Sequence, residues 1–204
     1  MPKNYIFDFG NVLGQFEPEA MTARYIKDPQ IAQAVCPVAY DRLYWDKLDD
    51  GTITDEEIRQ DIFRRLPPNL AQAAWYAYEN WITAMPPVPG MENLVHDIKS
   101  QGGHLYLLSN ISIGFAEKYD RCPWIASLFS LFDGLVFSGP IGLAKPQQEI
   151  FHHLLNQYSL IPGDCIFIDD RLENIAAGET VGIKGYLFDG NAETLRQALN
   201  ILHL

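Results

Sequence analysis

The sequence predicts an α/β protein with a doubly wound parallel sheet and a helix-rich insert after the first strand. Short apolar, β-prone runs alternate with helical patterns beyond residue 87, and this alternation is typical of a parallel sheet with helices on both faces. Apolar residues make up 48% of the 204 residues, which is enough for one substantial core or for a core with an inserted module. We expect residues 1–14 and 87–204 to form the sheet domain and residues 15–86 to form the insert.

The charge and the cysteines narrow the class of protein. A formal net charge of −11 argues against nucleic acid and anionic membranes as partners, because both are negatively charged. The three cysteines are irregularly spaced and are expected to be reduced thiols. The chain enters a strand at once, and no apolar run reaches the length of about 18 residues that a membrane helix needs. We therefore expect a soluble cytoplasmic protein.

The first strand ends in a carboxylate. Residues 5–7 form an apolar, β-prone run that Asp8 ends, and Gly10, Asn11 and Gly14 follow as residues that tolerate a tight turn. Open α/β sheets bind ligands at the carboxyl edge of their strands, where Asp8 would lie. An unpaired buried charge is costly, so Asp8 requires a cation or hydrogen-bond donors beside it.

The insert is predicted to be helical and is rich in aromatic residues. Helices are expected over residues 17–27, 37–48 and 67–82, and Thr54 opens another with Glu57 at the capping-box spacing. The aromatic density indicates either a bundle with its own core or an apolar underside that faces a pocket.

Residues 46–57 also partly imitate a calcium-binding loop. Asp46 and Asp50 occupy liganding positions, but Leu48 stands at the third position, where a ligand is required. A turn followed by a capping box explains the same residues, and we favour that interpretation.

After a stiff proline-rich connection at residues 86–90, strands and helices alternate. Apolar runs predict four further strands, at residues 104–108, 135–137, 165–168 and 185–188. Helices are predicted over residues 91–98, from about residue 113, and over residues 150–158 and 172–181. A last amphipathic helix carries Leu195, Ala198, Leu199 and Leu202.

Polar residues follow two of these strands. Ser109 and Asn110 could donate hydrogen bonds to a phosphate, although helix capping explains the same residue types. Lys145 precedes Pro146, which suits the first turn of a helix. A lysine at a helix start lacks the favourable interaction with the helix dipole that an acid would have there. This misfit indicates a functional role for Lys145. The alternative is an ordinary solvated lysine.

Two adjacent carboxylates, Asp169 and Asp170, follow the strand at residues 165–168. They would repel one another unless a cation neutralised them. Mg²⁺ prefers such a place, with a few carboxylates, a carbonyl, waters and substrate phosphate around it. A surface turn is the alternative, but it does not account for the buried strand before the pair or for Asn174 and the small-residue helix after it.

The segments at Asp8, Ser109, Lys145 and Asp169 resemble, in order, the four motifs of the haloacid dehalogenase-like hydrolase superfamily, over essentially the whole chain. The resemblance implies a Rossmann-like core and makes residues 15–86 a small helical cap of subfamily I, which closes over the site and selects the leaving group. The first motif has the Asp-x-Gly-Asn-Val form and resembles the branch that contains glucose-1-phosphate phosphatases.

The resemblance also implies residue roles. Members of the superfamily attack phosphate with the first aspartate, so Asp8 would be the nucleophile and a Mg²⁺ ligand. The Gly10 main-chain carbonyl and Asp170 would be further ligands, with Asp169 in support. The substrate phosphate would be held by Ser109, Asn110, Lys145 and Asn11, and Ser109 and Lys145 would also act in catalysis.

The chain departs from the family pattern at Gly10. Most phosphatases of the superfamily carry a second aspartate there, which protonates the leaving group and then activates water. Loss of a general acid typically costs about 10²–10⁴-fold in rate. Glu17, the nearest acid in sequence, is the first candidate to replace it, and another cap residue or the substrate itself are the alternatives.

The expected function is a Mg²⁺-dependent phosphatase that hydrolyses a small phosphorylated metabolite, with a sugar phosphate such as glucose 1-phosphate as a candidate substrate. The protein is expected to be a monomer or a weak homodimer. One alternative is a 2-haloacid dehalogenase, which lacks the second aspartate but needs no metal. Another is a phosphonate hydrolase, which would need a Schiff-base lysine from the cap, Lys27 or Lys47. The last is a catalytically weak sensor or interaction protein.

Overall fold

A computed structural model describes residues 3–49 and 51–201. Their strands form one five-stranded parallel sheet with the order β3-β2-β1-β4-β5. The strands are β1 (Asn4–Phe7), β2 (His104–Ser109), β3 (Gly134–Phe137), β4 (Cys165–Asp169) and β5 (Lys184–Leu187). The predicted parallel α/β sheet is confirmed, and β5 lies one residue earlier than the pattern indicated.

The register of the central strand brings the site together. Phe7 lies opposite Leu107 of β2 on one side and Ile168 of β4 on the other. Both faces of β1 are covered, which is why its sequence is a continuous apolar run rather than an alternating one. The carboxyl ends of β2, β1 and β4 therefore lie side by side.

The helices before β2 are short. They are α1 (Pro18–Tyr25), α2 (Pro29–Ala39), α3 (Arg42–Asp49), α4 (Asp55–Arg65), α5 (Pro68–Glu79), α6 (Trp81–Ala84) and α7 (Met91–Ser100). The helices after β2 are α8 (Ile113–Lys118), α9 (Pro123–Phe129), α10 (Ser138–Ile141), α11 (Gln148–Gln157), α12 (Leu172–Thr180) and α13 (Ala192–Leu199). Leu202, predicted for the last helix, lies outside the described residues. No helix of the described ranges is long and apolar enough to span a membrane.

The prediction of one helix over residues 37–48 is wrong. α2 begins after Asp28, whose carboxylate accepts a hydrogen bond from the Gln30 N–H at 2.9 Å, with Pro29 in the first turn. A capped start followed by proline is a stronger initiation signal than an isolated proline. Pro37 therefore lies inside α2, and α3 is a separate helix.

The predicted helix over residues 67–82 is divided at Asn80. The Asn80 side-chain amide donates to the Tyr76 carbonyl at 2.9 Å, and such local bonds compete with the regular helix pattern. The capping box of α4 is confirmed, since Thr54 and Glu57 bond reciprocally. Glu57 is thus engaged at the helix start, as the turn-and-cap interpretation requires, whereas Asp50 lies outside the described residues.

The described residues of the insert pack against the sheet domain and share one buried cluster with it. Met21 and Tyr40 of the insert belong to the same buried cluster as Phe9. The rings of Trp81 and Phe115 bridge the two parts, with centroids 5.5 Å apart. This arrangement favours the expectation of an apolar underside over that of an independent bundle.

The two connections to the insert run side by side. The Gln15 N–H donates to the Pro86 carbonyl at 2.9 Å, and the Val88 N–H donates to the Leu13 carbonyl at 2.8 Å. The two bonds join the residues beside the two predicted boundaries, which fall after residue 14 and after residue 86. The division into a core and a cap stays a prediction.

Candidate active site

Three adjacent strands deliver polar side chains to one edge of the sheet. Asp8 is the first residue after β1, and its N–H donates to the Ile168 carbonyl at 2.9 Å, which extends the ladder beyond the strand. Ser109 ends β2 and Asp169 ends β4. All three side chains are buried, and the sequence predicted this meeting because parallel strands share their carboxyl edge.

Lys145 is buried at this edge and binds two carboxylates. Its ammonium lies 2.8 Å from Asp8 Oδ1 and 2.7 Å from Asp169 Oδ2, and its side chain is 1% exposed. Burial favours the neutral amine, but the two carboxylates outweigh this and raise the pKa of Lys145 above its usual value. Lys145 is therefore a charged group of the site, and the solvated-lysine alternative is wrong.

Lys145 was expected at or just before a helix start with Pro146 in the first turn, but the helix begins three residues after Lys145. α11 begins at Gln148, and the segment before it forms a turn in which the Gln147 N–H donates to the Ala144 carbonyl at 2.9 Å. The residue before a proline disfavours the helical backbone conformation. Lys145 precedes Pro146 and therefore stays in the turn before α11.

Asn110 holds this turn against the loop after β2. Its side-chain amide donates to the Lys145 carbonyl at 2.8 Å, and its side-chain oxygen accepts from the Lys145 N–H at 2.8 Å. The structure thus places Asn110, predicted as a phosphate ligand, where it positions the Lys145 main chain.

Ser109 and Ser112 have different roles. Hydrogen bonding from the Ser109 side chain lowers the pKa of Asp8, which places the hydroxyl beside the predicted nucleophile. The cap of α8 is instead Ser112, which accepts from the Phe115 N–H at 3.1 Å. The helix-capping alternative for Ser109 is therefore wrong.

Asp169 is completely buried and bound by fixed donors. Besides Lys145, it accepts hydrogen bonds from the Arg171 N–H at 2.8 Å and from the Asn174 side-chain amide at 3.0 Å. These bonds leave Asp169 little freedom, so it fixes the direction of the lysine.

Asn11 and Asp170 meet on the outer side of the site. Asn11 donates through its amide to Asp170 Oδ2 at 3.3 Å and accepts from the Phe16 N–H at 3.2 Å. Its left-handed backbone, with φ of 55°, is a conformation that asparagine tolerates better than most residues. Asn11 therefore orients Asp170 and ties the first loop to the start of the insert.

The charges of the site are unbalanced. Asp8, Asp169 and Asp170 each offer a carboxylate oxygen within 4.8 Å of the others, and Lys145 supplies one positive charge against these three negative ones. Burial raises the pKa of Asp8 to about 6; Lys145 lowers it in part, and Asp169 raises it further. Burial also raises the pKa of Asp170.

This donor set fits a divalent cation. Mg²⁺ prefers carboxylate and carbonyl oxygens, and one such ion would offset the two excess negative charges. The side-chain oxygen of Asn174 is buried without a hydrogen-bond partner, and the amide of the same side chain donates to Asp169. Within residues 3–49 and 51–201, these three aspartates are the group of acidic, histidine or cysteine side chains that could hold a metal.

A cavity of about 570 Å³ lies above the carboxylates. Its floor includes Asp8, Gly10, Ser109, Lys145 and Asp170. Its walls from the insert include Phe16, Tyr40, Arg42, Trp45, Asp49 and Trp81. The site is therefore formed jointly by the sheet edge and the insert.

Three wall residues are not predicted by the sequence patterns described above. Arg42, Trp45 and Asp49 are at positions i, i+3 and i+7 of α3 and all line the cavity. That spacing places residues on one helix face, a signal that groups the three residues but does not show which cavity they face. The wrong boundary predicted for this helix concealed it.

The fold and site combine a buried carboxylate, a lysine and a group of oxygen donors suited to a cation at the end of a parallel sheet. Residues 2–182 match the family model of the haloacid dehalogenase-like hydrolases, and the chain belongs to this family. The family assignment expected from the motifs is thus confirmed, and the chain is an enzyme of the hydrolase class.

Two relatives cover nearly the whole chain. The sesquiterpene phosphatase astK of Aspergillus oryzae is 27% identical over 184 residues, which is 90% of this chain and 88% of the relative. The D-ribitol-5-phosphate phosphatase of Bacteroides thetaiotaomicron is 26% identical over 214 residues, which is 99% of this chain and 98% of the relative.

A solved structure has the same fold. It is a haloacid dehalogenase-family enzyme from Bacteroides thetaiotaomicron in complex with magnesium and inorganic phosphate. Its TM-score is 0.67 at 20% identity, with 96% of this chain and 99% of that chain covered.

Proposed function

We propose that this hydrolase is a Mg²⁺-dependent phosphatase that cleaves a small phosphate monoester through an aspartyl-phosphate on Asp8. The observation that carries the proposal is the contact of the buried Lys145 ammonium with both Asp8 and Asp169. It favours the ionised, nucleophilic form of Asp8 and places a positive charge where a phosphate dianion would bind.

The reaction has two halves. In the first, an oxygen of Asp8 forms a bond to phosphorus, and the bond from phosphorus to the leaving oxygen breaks. In the second, water forms a new bond to phosphorus and the Asp8 oxygen leaves, which restores the carboxylate and releases inorganic phosphate. Bound Mg²⁺, held by Asp8, Asp170 and the Gly10 carbonyl, would neutralise charge on the phosphoryl group.

Lys145 and Ser109 would hold the phosphoryl oxygens in both halves. An ammonium has three donors, of which two face Asp8 and Asp169, so one remains for the substrate. Asn110 and Asn11 support this arrangement indirectly, through the Lys145 main chain and Asp170. We therefore assign them positioning roles rather than direct phosphate binding.

Residues 15–86 would act as a cap that selects the leaving group. Their aromatic side chains form walls of the cavity, and Arg42 contributes a cation. Relatives that act on a sesquiterpene phosphate and on ribitol 5-phosphate support a small phosphorylated metabolite. A sugar phosphate such as glucose 1-phosphate remains the candidate, and the cytoplasmic location and the monomeric or weakly dimeric state stay predictions.

The alternatives have less support. A metal-independent dehalogenase leaves the three clustered aspartates unexplained. A phosphonate hydrolase needs a cap lysine in the cavity, but Lys27 donates to the Ala23 carbonyl at 3.0 Å and Lys47 lines a separate groove. Among the described wall residues of the cavity, neither lysine is present.

The test is phosphate release from a panel of esters that includes glucose 1-phosphate, ribitol 5-phosphate, a prenyl phosphate and p-nitrophenyl phosphate. We expect activity that EDTA abolishes, that Mg²⁺ restores, and that Asp8→Asn lacks. Release of halide from 2-chloropropionate without metal would instead assign the protein to the dehalogenase branch. Full turnover by Asp8→Asn would remove the proposed nucleophile.

A further inference from the structure

The aspartate that most phosphatases of this family carry two residues after the nucleophile is replaced here by Gly10, so the proton for the leaving group must come from elsewhere. We propose that Asp49, the last residue of α3 in the insert, is this proton donor. The inference rests on the proposed phosphatase function and adds a catalytic residue to it.

The composition of the cavity supports Asp49 by elimination. Of its described acidic lining residues, Asp8 is the nucleophile and Asp170 belongs to the cation site, which leaves Asp49. Tyr40 donates its hydroxyl to the Ala77 carbonyl at 3.0 Å, and burial raises its pKa far above neutrality.

The cations of the cavity do not serve as acids. The Lys145 ammonium is held by two carboxylates, which oppose the loss of its proton. Arg42 and Arg171 also line the cavity, and arginine does not give up its proton in proteins.

Glu17, the candidate expected from its proximity in sequence, does not fit. It is exposed, and it is absent from the described lining of the cavity although its neighbours Phe16 and Pro18 are present. Its main chain is used at the start of α1, where its carbonyl accepts from the Met21 N–H at 2.9 Å. The structure therefore favours the acid on α3.

A hydrogen-bond chain fixes the main chain of Asp49 relative to the phosphate site. The Ser138 hydroxyl donates to the Asp49 carbonyl at 2.5 Å and accepts from the Ile111 N–H at 2.8 Å. Ser138 is completely buried, and Ile111 is two residues from Ser109. The end of α3 is thus tied to the loop that carries the phosphate-binding hydroxyl.

The proposed step balances in both halves of the reaction. When the bond from phosphorus to the leaving oxygen breaks, its electron pair stays on that oxygen, which takes the proton of the Asp49 carboxyl group. In the second half the Asp49 carboxylate takes a proton from the attacking water as the new phosphorus–oxygen bond forms. Asp49 is then protonated again for the next turnover.

The test compares leaving groups in Asp49→Asn, which keeps the size of the side chain but has no titratable proton. The measured quantities are single-turnover rates of product-alcohol release from p-nitrophenyl phosphate and from an alkyl phosphate, with Mg²⁺. p-Nitrophenolate leaves without protonation, whereas an alkoxide needs the proton. We expect the alkyl rate to fall by about 10²–10⁴-fold and the p-nitrophenyl rate by less than about tenfold.

The matched control is Glu17→Gln, for which both rates should equal those of the wild-type protein. Asp49→Ala is assessed by the ratio of the alkyl rate to the p-nitrophenyl rate, as Asp49→Asn is. It serves as the test variant if Asp49→Asn does not fold. An unchanged ratio in a folded Asp49 variant would overturn the assignment of Asp49. Failure of the phosphatase function would look different, because the wild-type protein would then release no p-nitrophenol.

Discussion

The side chains of Lys145 and Asp169 form an ion pair with an Nζ–Oδ2 distance of 2.7 Å, and neither side chain is more than 1% exposed. Asp169 is anchored from its other side by the Arg171 N–H and the Asn174 amide. The ammonium is thereby held 2.8 Å from Asp8 Oδ1. Asp169 is a positioning residue for the lysine, and the lysine is the charge that stabilises the nucleophile.

Lys145→Met should destabilise the metal-free protein and abolish phosphatase activity. Removal of one partner from a buried charge group typically costs about 3–5 kcal/mol, because the remaining carboxylates lose their counter-ion. The measurement is urea unfolding in EDTA together with phosphate release in Mg²⁺. The control is Lys118→Met, since the partly solvated pair of Lys118 with Asp55 at 3.3 Å should contribute about 1 kcal/mol or less. Equal stability losses in both variants would contradict the central role of Lys145.

The metal-free protein should become more stable as the pH falls from 7 to 5. Burial raises the pKa of Asp8 to about 6, above the unfolded value, so the folded state binds a proton in a range where the unfolded state does not. Ionisation of Asp8 therefore destabilises the fold at pH 7, and protonation relieves this cost. The expected gain is on the order of 1 kcal/mol, measured by urea unfolding in EDTA.

Asp8→Asn serves as the control for this pH dependence. The amide does not titrate, so only the wild-type protein should gain stability between pH 7 and pH 5. The free energy of unfolding of the variant minus that of the wild-type protein should therefore decrease as the pH falls toward 5. Saturating Mg²⁺ should remove the gain, because a bound cation favours the ionised carboxylate. A difference that stays constant between pH 7 and pH 5 in EDTA would show that Asp8 is not the titrating group.

Phe16→Ala should change the ranking of substrates and leave the Mg²⁺ requirement intact. Phe16 lines the cavity and packs against Trp45 with ring centroids 4.9 Å apart, while the aspartate cluster lies outside the insert. We expect the ratio of kcat/KM between a prenyl phosphate and a polyol phosphate to change about tenfold. The control is Phe63→Ala, whose side chain is exposed and is not among the described wall residues. Loss of Mg²⁺ binding in Phe16→Ala would contradict the assignment of substrate selection to the insert and of metal binding to the aspartates.

The parts of the site that depend on strands could be predicted from the sequence. An apolar run that ends in a carboxylate is a local signal, and the carboxyl edge of a parallel sheet brings such residues together. Asp8 and Asp169 were identified in this way. Lys145 was identified for an incorrect local reason, because its turn is held by Asn110 and not by the start of a helix.

The parts that depend on the path of the insert could not be predicted. Arg42, Trp45 and Asp49 reach the cavity only because α3 is separate from α2 and its end is bound to Ser138, which lies 89 residues further along the chain. A contact of that sequence separation leaves no periodic pattern. The exposed position of Glu17 also follows from the fold and not from its distance to Asp8 along the chain.

Gly10→Asp should restore activity to Asp49→Asn but add little to the wild-type protein. A side chain at position 10 has room, since a Cβ there would have no neighbouring atom within 4 Å, and Gly10 is not among the glycines with positive φ. An aspartate there could supply the proton that Asp49 gives in the wild-type protein. In the Asp49→Asn background, we expect Gly10→Asp to raise alkyl phosphate turnover by about tenfold or more. The upper limit is the rate factor of about 10²–10⁴ that a general acid typically supplies.

The interpretation of this double substitution depends on the fold and the metal site being intact. Mg²⁺ affinity and the urea midpoint of the double variant should match those of Asp49→Asn, because the metal ligand at position 10 is a main-chain carbonyl. p-Nitrophenyl phosphate, which needs no leaving-group proton, should show little change in its release step. A large gain from Gly10→Asp in the wild-type background would mean that the wild-type protein lacks an efficient proton donor, and it would argue against Asp49 in that role.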